Sequence, residues 1–426
     1  MSKKVTVAIA GLGGRGKDTY AKCAKLFPEK MEIVAIADPI QEKREEVAKE
    51  YQIPRERCYT SVEDMLKEER LADVLFLCTQ DKQHVPQAIP ALRKGYHLLL
   101  EKPISPNLDE CREILKVAGE CKRQVVVCHV LRYTPFYGKL KELIDVGTIG
   151  DIVSVQAIEN VGYYHQAHSF VRGNWRREEE TSPMILAKCC HDMDVYLWLT
   201  GKRCESVSSF GSTYYFKSSM APEGAAKRCL GGCKVKDQCP YDAEKIYITS
   251  TETGVASGDD HWVQLVTVNP TLERVKKALE EGPYGRCVFH CDNDVVDHQV
   301  VNMNMEDGTT INFTMCAFTK EISRQAKFMG TLGEIRADME KNVIEVTRFG
   351  SETEVIDVTK LAEDFSGHGG GDNQMILELL DMIANGTGPS GRTTSLDVSV
   401  ESHYVALAAE KSRKAGGALV SIDEMR

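Results

Sequence analysis

The segment Gly11-Leu12-Gly13-Gly14-Arg15-Gly16, entered straight from the apolar run Val5-Thr6-Val7-Ala8-Ile9-Ala10, constrains this chain more than any other feature. The run is short and rich in β-branched residues, and it predicts a buried strand. A helical stretch over about 17–26 follows the loop. A glycine-rich turn between a strand and a helix is the setting in which G-x-G-x-x-G cradles a pyrophosphate. Gly11 permits the tight turn, Gly13 lets the backbone approach the phosphates, and Gly16 allows the helix to pack close to the strand. Gly14 and Arg15 complete the loop at the helix start, where backbone N–H groups favour anions. A second predicted strand, 31–37, ends in Asp38. An acid at that distance from the loop is placed to accept a ribose 2′-hydroxyl. Pro39 and Ile40 follow, with no arginine beside them to pair a 2′-phosphate, so the expected cofactor is NAD rather than NADP.

The βα alternation continues. Strands are predicted over 72–78, 97–100 and 125–128, with helices over about 41–51, 85–94 and 108–122. Strands alternating with helices predict a doubly wound parallel sheet. Ligands on such sheets bind beyond the carboxyl ends of the strands. Thr79, Gln80, Glu101 and Lys102 fall at those ends.

The glycine loop, the acid after the second strand, and Glu101-Lys102-Pro103 preceded by the Gly95-Tyr96-His97 strand entry together resemble the Gfo/Idh/MocA oxidoreductases. The resemblance continues through Leu131-Arg132-Tyr133-Thr134-Pro135-Phe136, Gly147-Thr148-Ile149-Gly150, His191-Asp192-Met193-Asp194 and Trp198-Leu199-Thr200-Gly201, over nearly the whole chain. It implies an NAD-binding domain followed by an α+β domain on an open-faced mixed or antiparallel sheet. That second domain would cover the nicotinamide, and its sheet would make the contacts of a homo-oligomer, a dimer or tetramer. It also implies Lys102 and His191 as catalytic groups, with His84 and Arg132 among the cofactor-side residues. Many relatives carry an aspartate one turn before the histidine. Here that position is Ala187, with Lys188 beside it.

Length and composition agree with a two-domain enzyme. The 426 residues divide into an NAD-binding domain, 1–128, and a substrate and oligomerisation domain, 129–426. The second domain is predicted from strands over 152–158, 299–305, 310–317, 327–329, 334–338 and 343–348, with helices over about 373–385 and 398–415 packing back on the body. A net charge of −10 without a basic tract argues against a nucleic-acid partner. No apolar run reaches the roughly 20 residues of a bilayer span. The opening apolar stretch leads directly into the glycine loop and is the first strand rather than a signal peptide. Fifteen cysteines without an export signal point to a reducing cytoplasm.

Oxidising a secondary alcohol requires a hydride acceptor, a base for the hydroxyl proton and groups that orient the carbinol. Lys102 suits the polarising role and Glu101 can tune it. His191 is the acid/base candidate, since an imidazole titrates near neutrality. If 188–194 is one helix, Lys188 and His191 share a face and Lys188 stands in for the missing aspartate. The alternatives are a solvated surface lysine and a core histidine satisfied by Asp194. The polar and aromatic stretch from Glu159 to Arg176 offers Tyr163, His165, His168, Arg172 and Trp175 as sugar contacts, with Asp192 and His368 joining from elsewhere. His368-Gly369-Gly370-Gly371-Asp372 predicts either a capped helix start or a loop that closes over substrate.

The irregular segment over about 217–286 holds Cys229, Cys233 and Cys239. Three close cysteines beside Gly231-Gly232 predict three corners of a structural zinc site, with Cys291 or Cys287 as the fourth ligand. Ordinary buried thiols are the alternative. The expected activity is NAD-dependent oxidation of a secondary hydroxyl on a sugar, cyclitol or glycoside. A redox-assisted glycoside-cleaving enzyme that uses bound NAD catalytically, and a non-catalytic NAD sensor, are the competing readings.

Overall fold

The computed structural model describes residues 3–426. The first sheet comprises β1 (Val5–Ala10), β2 (Met31–Ala37), β3 (Cys58–Tyr59), β4 (Val74–Leu77), β5 (His97–Leu100) and β6 (Val125–Val127). All its pairings are parallel, in the order β3-β2-β1-β4-β5-β6. Helices cover both faces, so β1 and β4 read as nearly continuous apolar runs without alternation. The chain leaves β1 towards β2 on one side and returns to β4 on the other. That reversal opens a crevice at the carboxyl edge, directly beyond the glycine loop.

The second sheet has nine strands: β7 (Ile152–Asn160), β8 (Cys204–Ser212), β9 (His298–Met305), β10 (Thr310–Cys316), β11 (Ser323–Gly330), β12 (Gly333–Asp338), β13 (Val343–Arg348), β14 (Glu354–Asp357) and β15 (Val420–Ser421). Its order is β14-β13-β12-β11-β7-β10-β9-β8-β15, and only β7 and β10 pair in parallel. The expected α/β architecture, a parallel sheet plus an open mixed sheet, is present. The nine-residue β8 and the short β3, β14 and β15 are additions to the predicted strands. Along β7, Val155, Ala157 and Glu159 face inward while Val153 and Gln156 are exposed. That alternation marks a sheet with one solvated face.

The two predicted late helices are Gly371–Asn385 and Leu396–Lys414. The first buries Met375, Ile376, Leu379 and Leu380 in the same cluster as β1 residues Val5, Val7 and Ile9. The first domain's core is therefore completed by residues some 370 positions downstream. A separate cluster of Tyr241, Ile246, Tyr247, Val275, Leu279 and Phe289 gives the cysteine-bearing insertion its own small core.

Candidate active site

The glycine loop has the geometry its sequence predicts. Gly11 has φ +88°, and a Cβ on it would lie 2.3 Å from the Cys78 carbonyl oxygen. A Cβ on Gly16 would lie 2.0 Å from the Gly11 carbonyl oxygen, so the helix can start there only with glycine. Gly13 faces open space, with nothing within 4 Å of a would-be Cβ. These features fit a backbone cradle for a pyrophosphate. Asp38 sits beside the loop, its two carboxylate oxygens accepting the N–H groups of Leu12 at 2.7 Å and Ile40 at 2.8 Å. Each oxygen keeps a further lone pair for a ribose hydroxyl. Arg44, one turn into the following helix, donates to the Asp38 carbonyl at 2.5 Å. The expectation of no arginine near this strand end therefore fails, because the helix brings Arg44 back to it.

Arg15 and Glu101 are not free cofactor ligands. The Arg15 guanidinium donates to Glu101 at 3.0 Å, Tyr20 at 2.7 Å and Asp372 at 2.5 Å. Glu101 also accepts from the Tyr20 hydroxyl at 2.6 Å and from the Lys102 N–H at 3.0 Å. Burial alone would raise the Glu101 carboxyl, but the Arg15 and Lys102 charges outweigh it and hold it below its ordinary value. The network fixes the strand end from which Lys102 projects. His368 joins it through Asp372, at 3.1 Å, from a turn in which Gly367, Gly369 and Gly370 all have positive φ.

The Lys102 ammonium donates to the Ala187 carbonyl at 2.8 Å. The backbone thus holds the lysine at the very position where many relatives carry an aspartate. Lys188 does not substitute for that aspartate by sharing a helix face with His191. The helix Cys190–Thr200 begins only after Lys188 and Cys189, and an earlier turn, Met184–Ala187, ends before them. Lys188 instead pairs with Glu159 at 2.9 Å.

Glu159 is also 3.0 Å from Arg324, its direct cross-strand partner between β7 and β11. Arg324 in turn holds Asp192 at 2.9 Å. Two acids and two bases thus form a closed, buried cluster beneath the cleft. Burial, opposed by Arg324 and assisted by Glu159, raises the Asp192 carboxyl. Asp192, expected to touch substrate, is fully enclosed and held by Arg324. Arg324 went unnoticed in the sequence. The available signal was a charge at an inward position of β11, opposite an acid at an inward position of β7.

His191 lies at the cleft, 6% exposed. Burial, with the charges of Lys102, His129, Arg324 and His368, holds its imidazole well below the ordinary value. It is therefore a neutral base at physiological pH. Asp194 does not partner it. That carboxylate takes Arg132 in a bidentate pair at 2.6 and 2.7 Å. His129 lies 3.0 Å from the same carboxylate. Arg132, 3% exposed, is thereby consumed in the interior instead of reaching a cofactor. His84 is consumed too, its ring nitrogens lying 2.6 Å from the Pro103 carbonyl and 3.0 Å from that of Thr79. The Thr79 hydroxyl donates to Gln87 at 2.7 Å, while Gln80 is exposed at the strand end.

The predicted sugar contacts divide into two groups. Tyr163 is half-buried, and its ring packs on Tyr164 and Tyr241. The Trp175 indole donates to Asp81 at 3.0 Å. His165, half-buried, carries an unpartnered Nδ1 and is pushed well below its ordinary value by burial and by Lys188, His168 and Lys102. His168 and Arg172 pack against the insertion instead. His168 is 2.9 Å from the Tyr247 hydroxyl and stacks on Tyr284. Arg172 donates to the carbonyls of Arg286 at 2.7 Å and Tyr241 at 2.6 Å. Both are buried against these partners.

Cys229, Cys233, Cys239 and Cys287 line one cavity of about 10 Å³. Cys291 is turned away from it, donating to the Cys287 carbonyl at 3.3 Å. Among the described residues no three His, Cys, Asp or Glu side chains converge as metal ligands. The expected zinc centre is not shown: the four thiols share a cavity without converging as ligands. Burial raises Cys229, Cys239 and Cys287, which keeps them protonated.

The insertion also reaches across the cleft. Trp262 packs edge-on against Tyr164, His165 and His168. Leu265 lies 3.4 Å from a would-be Cβ on Gly14. Asn269 and Arg274 donate to Glu42 at 2.9 and 3.1 Å, on the helix that follows Asp38.

A parallel nucleotide-binding sheet, its glycine cradle and a lysine–histidine pair under a second mixed sheet define a dinucleotide-dependent oxidoreductase. The chain belongs to the Gfo/Idh/MocA oxidoreductases: the family's NAD-binding Rossmann domain matches residues 5–129 and its C-terminal alpha/beta domain matches residues 141–417. It is similar to the Bacillus subtilis protein YteT, 23% identical over 388 residues, 87% of this chain and 81% of that one. It is 24% identical to the inositol 2-dehydrogenase of Corynebacterium glutamicum over 245 residues, 57% of this chain and 67% of the relative. An Agrobacterium radiobacter oxidoreductase, solved with NAD+, L-tartaric acid and magnesium, shares the fold at a TM-score of 0.69 and 14% identity, with both chains fully covered.

Proposed function

We propose that this oxidoreductase removes a hydride from a secondary hydroxyl of a sugar, cyclitol or glycoside. The carrying observation is the pairing of the Lys102 ammonium, fixed by the Ala187 carbonyl, with a neutral His191 whose charge neighbours include that lysine. NAD, when bound on the glycine cradle, supplies the hydride acceptor. Lys102 polarises the carbinol oxygen and His191 takes its proton. Asp38 holds the adenosine ribose, and its negative charge opposes a 2′-phosphate. The inositol dehydrogenase relative supports a polyhydroxylated ring as substrate. The test is a screen of NAD reduction over myo-inositol, free hexoses and aryl glycosides, with product analysis. No NADH from any of them, and no aglycone release, would remove this reading and favour a sensor.

One observation favours the second reading, a glycoside-cleaving enzyme that reuses its NAD. The insertion spans from His165 to Gly14 and Glu42, over the cradle. A roof there slows cofactor exchange, which suits a reaction with no net redox change. Aglycone release at substoichiometric NAD supports that reading. The fifteen free cysteines support a reducing compartment. Exposed Val153, Phe210 and Val355 on the open sheet support self-association, which light scattering would test.

A further inference from the structure

Behind His191 lies a second histidine to which hydride removal assigns no role. His129 follows β6 directly, at the carboxyl edge of the first sheet, and is completely enclosed. Its ring meets that of His191 edge to face, with centroids 5.8 Å apart. Nδ1 of His129 is within ion-pair reach of Asp194 at 3.0 Å, and among the described residues neither of its ring nitrogens has a well-aligned hydrogen-bond partner. His191 Nδ1 is equally enclosed and equally unpartnered. Buried polar atoms are almost always satisfied, and leaving one bare is costly. Two neighbouring rings that each keep a bare nitrogen are the two ends that a single bridging water would join.

The charges on the two sides differ in sign. The largest charge influences on His191 are cationic: Lys102, His129, Arg324 and His368. His129 faces the Asp194 carboxylate, which Arg132 keeps ionised, and on its other side the ring of His403 at 5.8 Å. A proton taken by His191 is therefore opposed by these charges, whereas one ring further in it meets the Asp194 carboxylate.

We propose that His129 is a positioning residue that relays the substrate proton inward, so that the charge generated at His191 comes to rest beside Asp194. The step balances as follows. The substrate O–H bond breaks and its proton goes to His191 Nε2. The His191 Nδ1–H bond breaks, the bridging water passes that proton on, and an N–H bond forms at His129 Nε2. The C–H electron pair leaves with the hydride to NAD. The final charge is an imidazolium paired with a carboxylate. The inference rests on His191 being the base of the proposed oxidation.

The first test needs no substrate. Ring-nitrogen NMR on protein labelled with 15N-histidine, assigned with His129→Gln and His191→Gln, reads the tautomers directly. The relay requires a proton on Nδ1 of His191 and a bare Nε2 on His129. The opposite tautomer at either ring overturns it. The second test is kinetic, with the substrate returned by the NAD-reduction screen. His129→Gln is expected to lower kcat by about tenfold or more while KM changes less than about twofold. The remaining rate should rise with pH as solvent takes over proton removal. A folded, NAD-binding variant with unchanged kcat and pH profile overturns the relay. If instead His191→Ala still forms NADH, the proposed oxidation by His191 has failed, and the tautomers read on the unaltered protein separate the two failures.

Discussion

The cleft and the cysteine-bearing insertion both bury polar groups, and they differ in which groups they leave bare. Against the insertion, Arg172 gives two of its three nitrogens to backbone carbonyls and keeps only Nη1 unpartnered, and His168 is taken by Tyr247. These groups close an irregular segment that lacks long regular elements. In the cleft, His191, His129 and His165 all keep ring nitrogens without partners, although well-paired acids lie close by. Unsatisfied buried polar atoms are rare in folded proteins, and where they cluster they mark chemistry. Satisfied ones mark architecture. Lys188, Glu159, Arg324 and Asp192 form a buried ionic cluster in the same site. Breaking such a buried ionic cluster is costly, yet it adds little net stability over apolar packing. Its contribution here is to fix the floor on which Lys102 and His191 stand.

Acid should test this contrast most severely. Burial, with Arg172 and His261, pushes His168 in the insertion down to about 3, and burial with His129 pushes His403 in the body down to about 3. A histidine depressed in the folded state stabilises the fold above its unfolded value near 6.5 and loses that contribution as pH falls towards the folded value. Each unit is worth about 1.4 kcal/mol, so several kcal/mol are at stake between pH 6.5 and 3. Thermal melts across that range should show the loss. Hydrogen exchange should show the insertion and the body opening at similar pH. An acid-resistant insertion would break the comparison.

The next largest effect is catalytic. Lys102→Ala and His191→Ala should each lower turnover by about 100-fold or more, with NAD affinity nearly unchanged by fluorescence titration. Near-full activity in either variant would transfer that residue to the architectural class. Asp38→Ala should weaken NAD by about tenfold, the scale of a charge-assisted hydrogen bond, and narrow the gap to NADP. Tighter binding of NADP by the unaltered protein would give Arg44 the leading role.

Smaller still is the clasp between the insertion and the first domain. Arg274 and Glu42 are about half exposed, and such solvated pairs contribute little. Glu42→Ala should raise the NAD dissociation rate by only a few-fold in stopped flow. No change would mean that Trp262 and Leu265 hold the roof unaided. The smallest expected effect is from a chelator. With the cysteines as free thiols, EDTA should leave the melting temperature within about 1 °C. One released zinc per chain and a drop of several degrees would restore a metal centre at Cys229, Cys233, Cys239 and Cys287.

The sequence by itself determined most of the strands, because apolar runs and alternation reflect burial directly, but it missed the nine-residue β8. β1, β2, β5 and β13 fall on their predicted residues, and the glycine loop's steric demands were legible because only glycine meets them. The two-residue strands β3 and β15 left no period long enough to detect. Lys102 and His191 were legible through their family setting. What the tertiary structure alone decided was the partner of each polar side chain. His84, Arg132, His168, Arg172 and Asp192 all carry the right chemistry for a site, and each is claimed by a neighbour distant in sequence or in an adjoining loop. A side chain's type sets what it can bind. Only the packing of remote elements decides whether a neighbouring group has already taken it, because that competition runs over distances of a few ångströms between residues dozens to hundreds of positions apart.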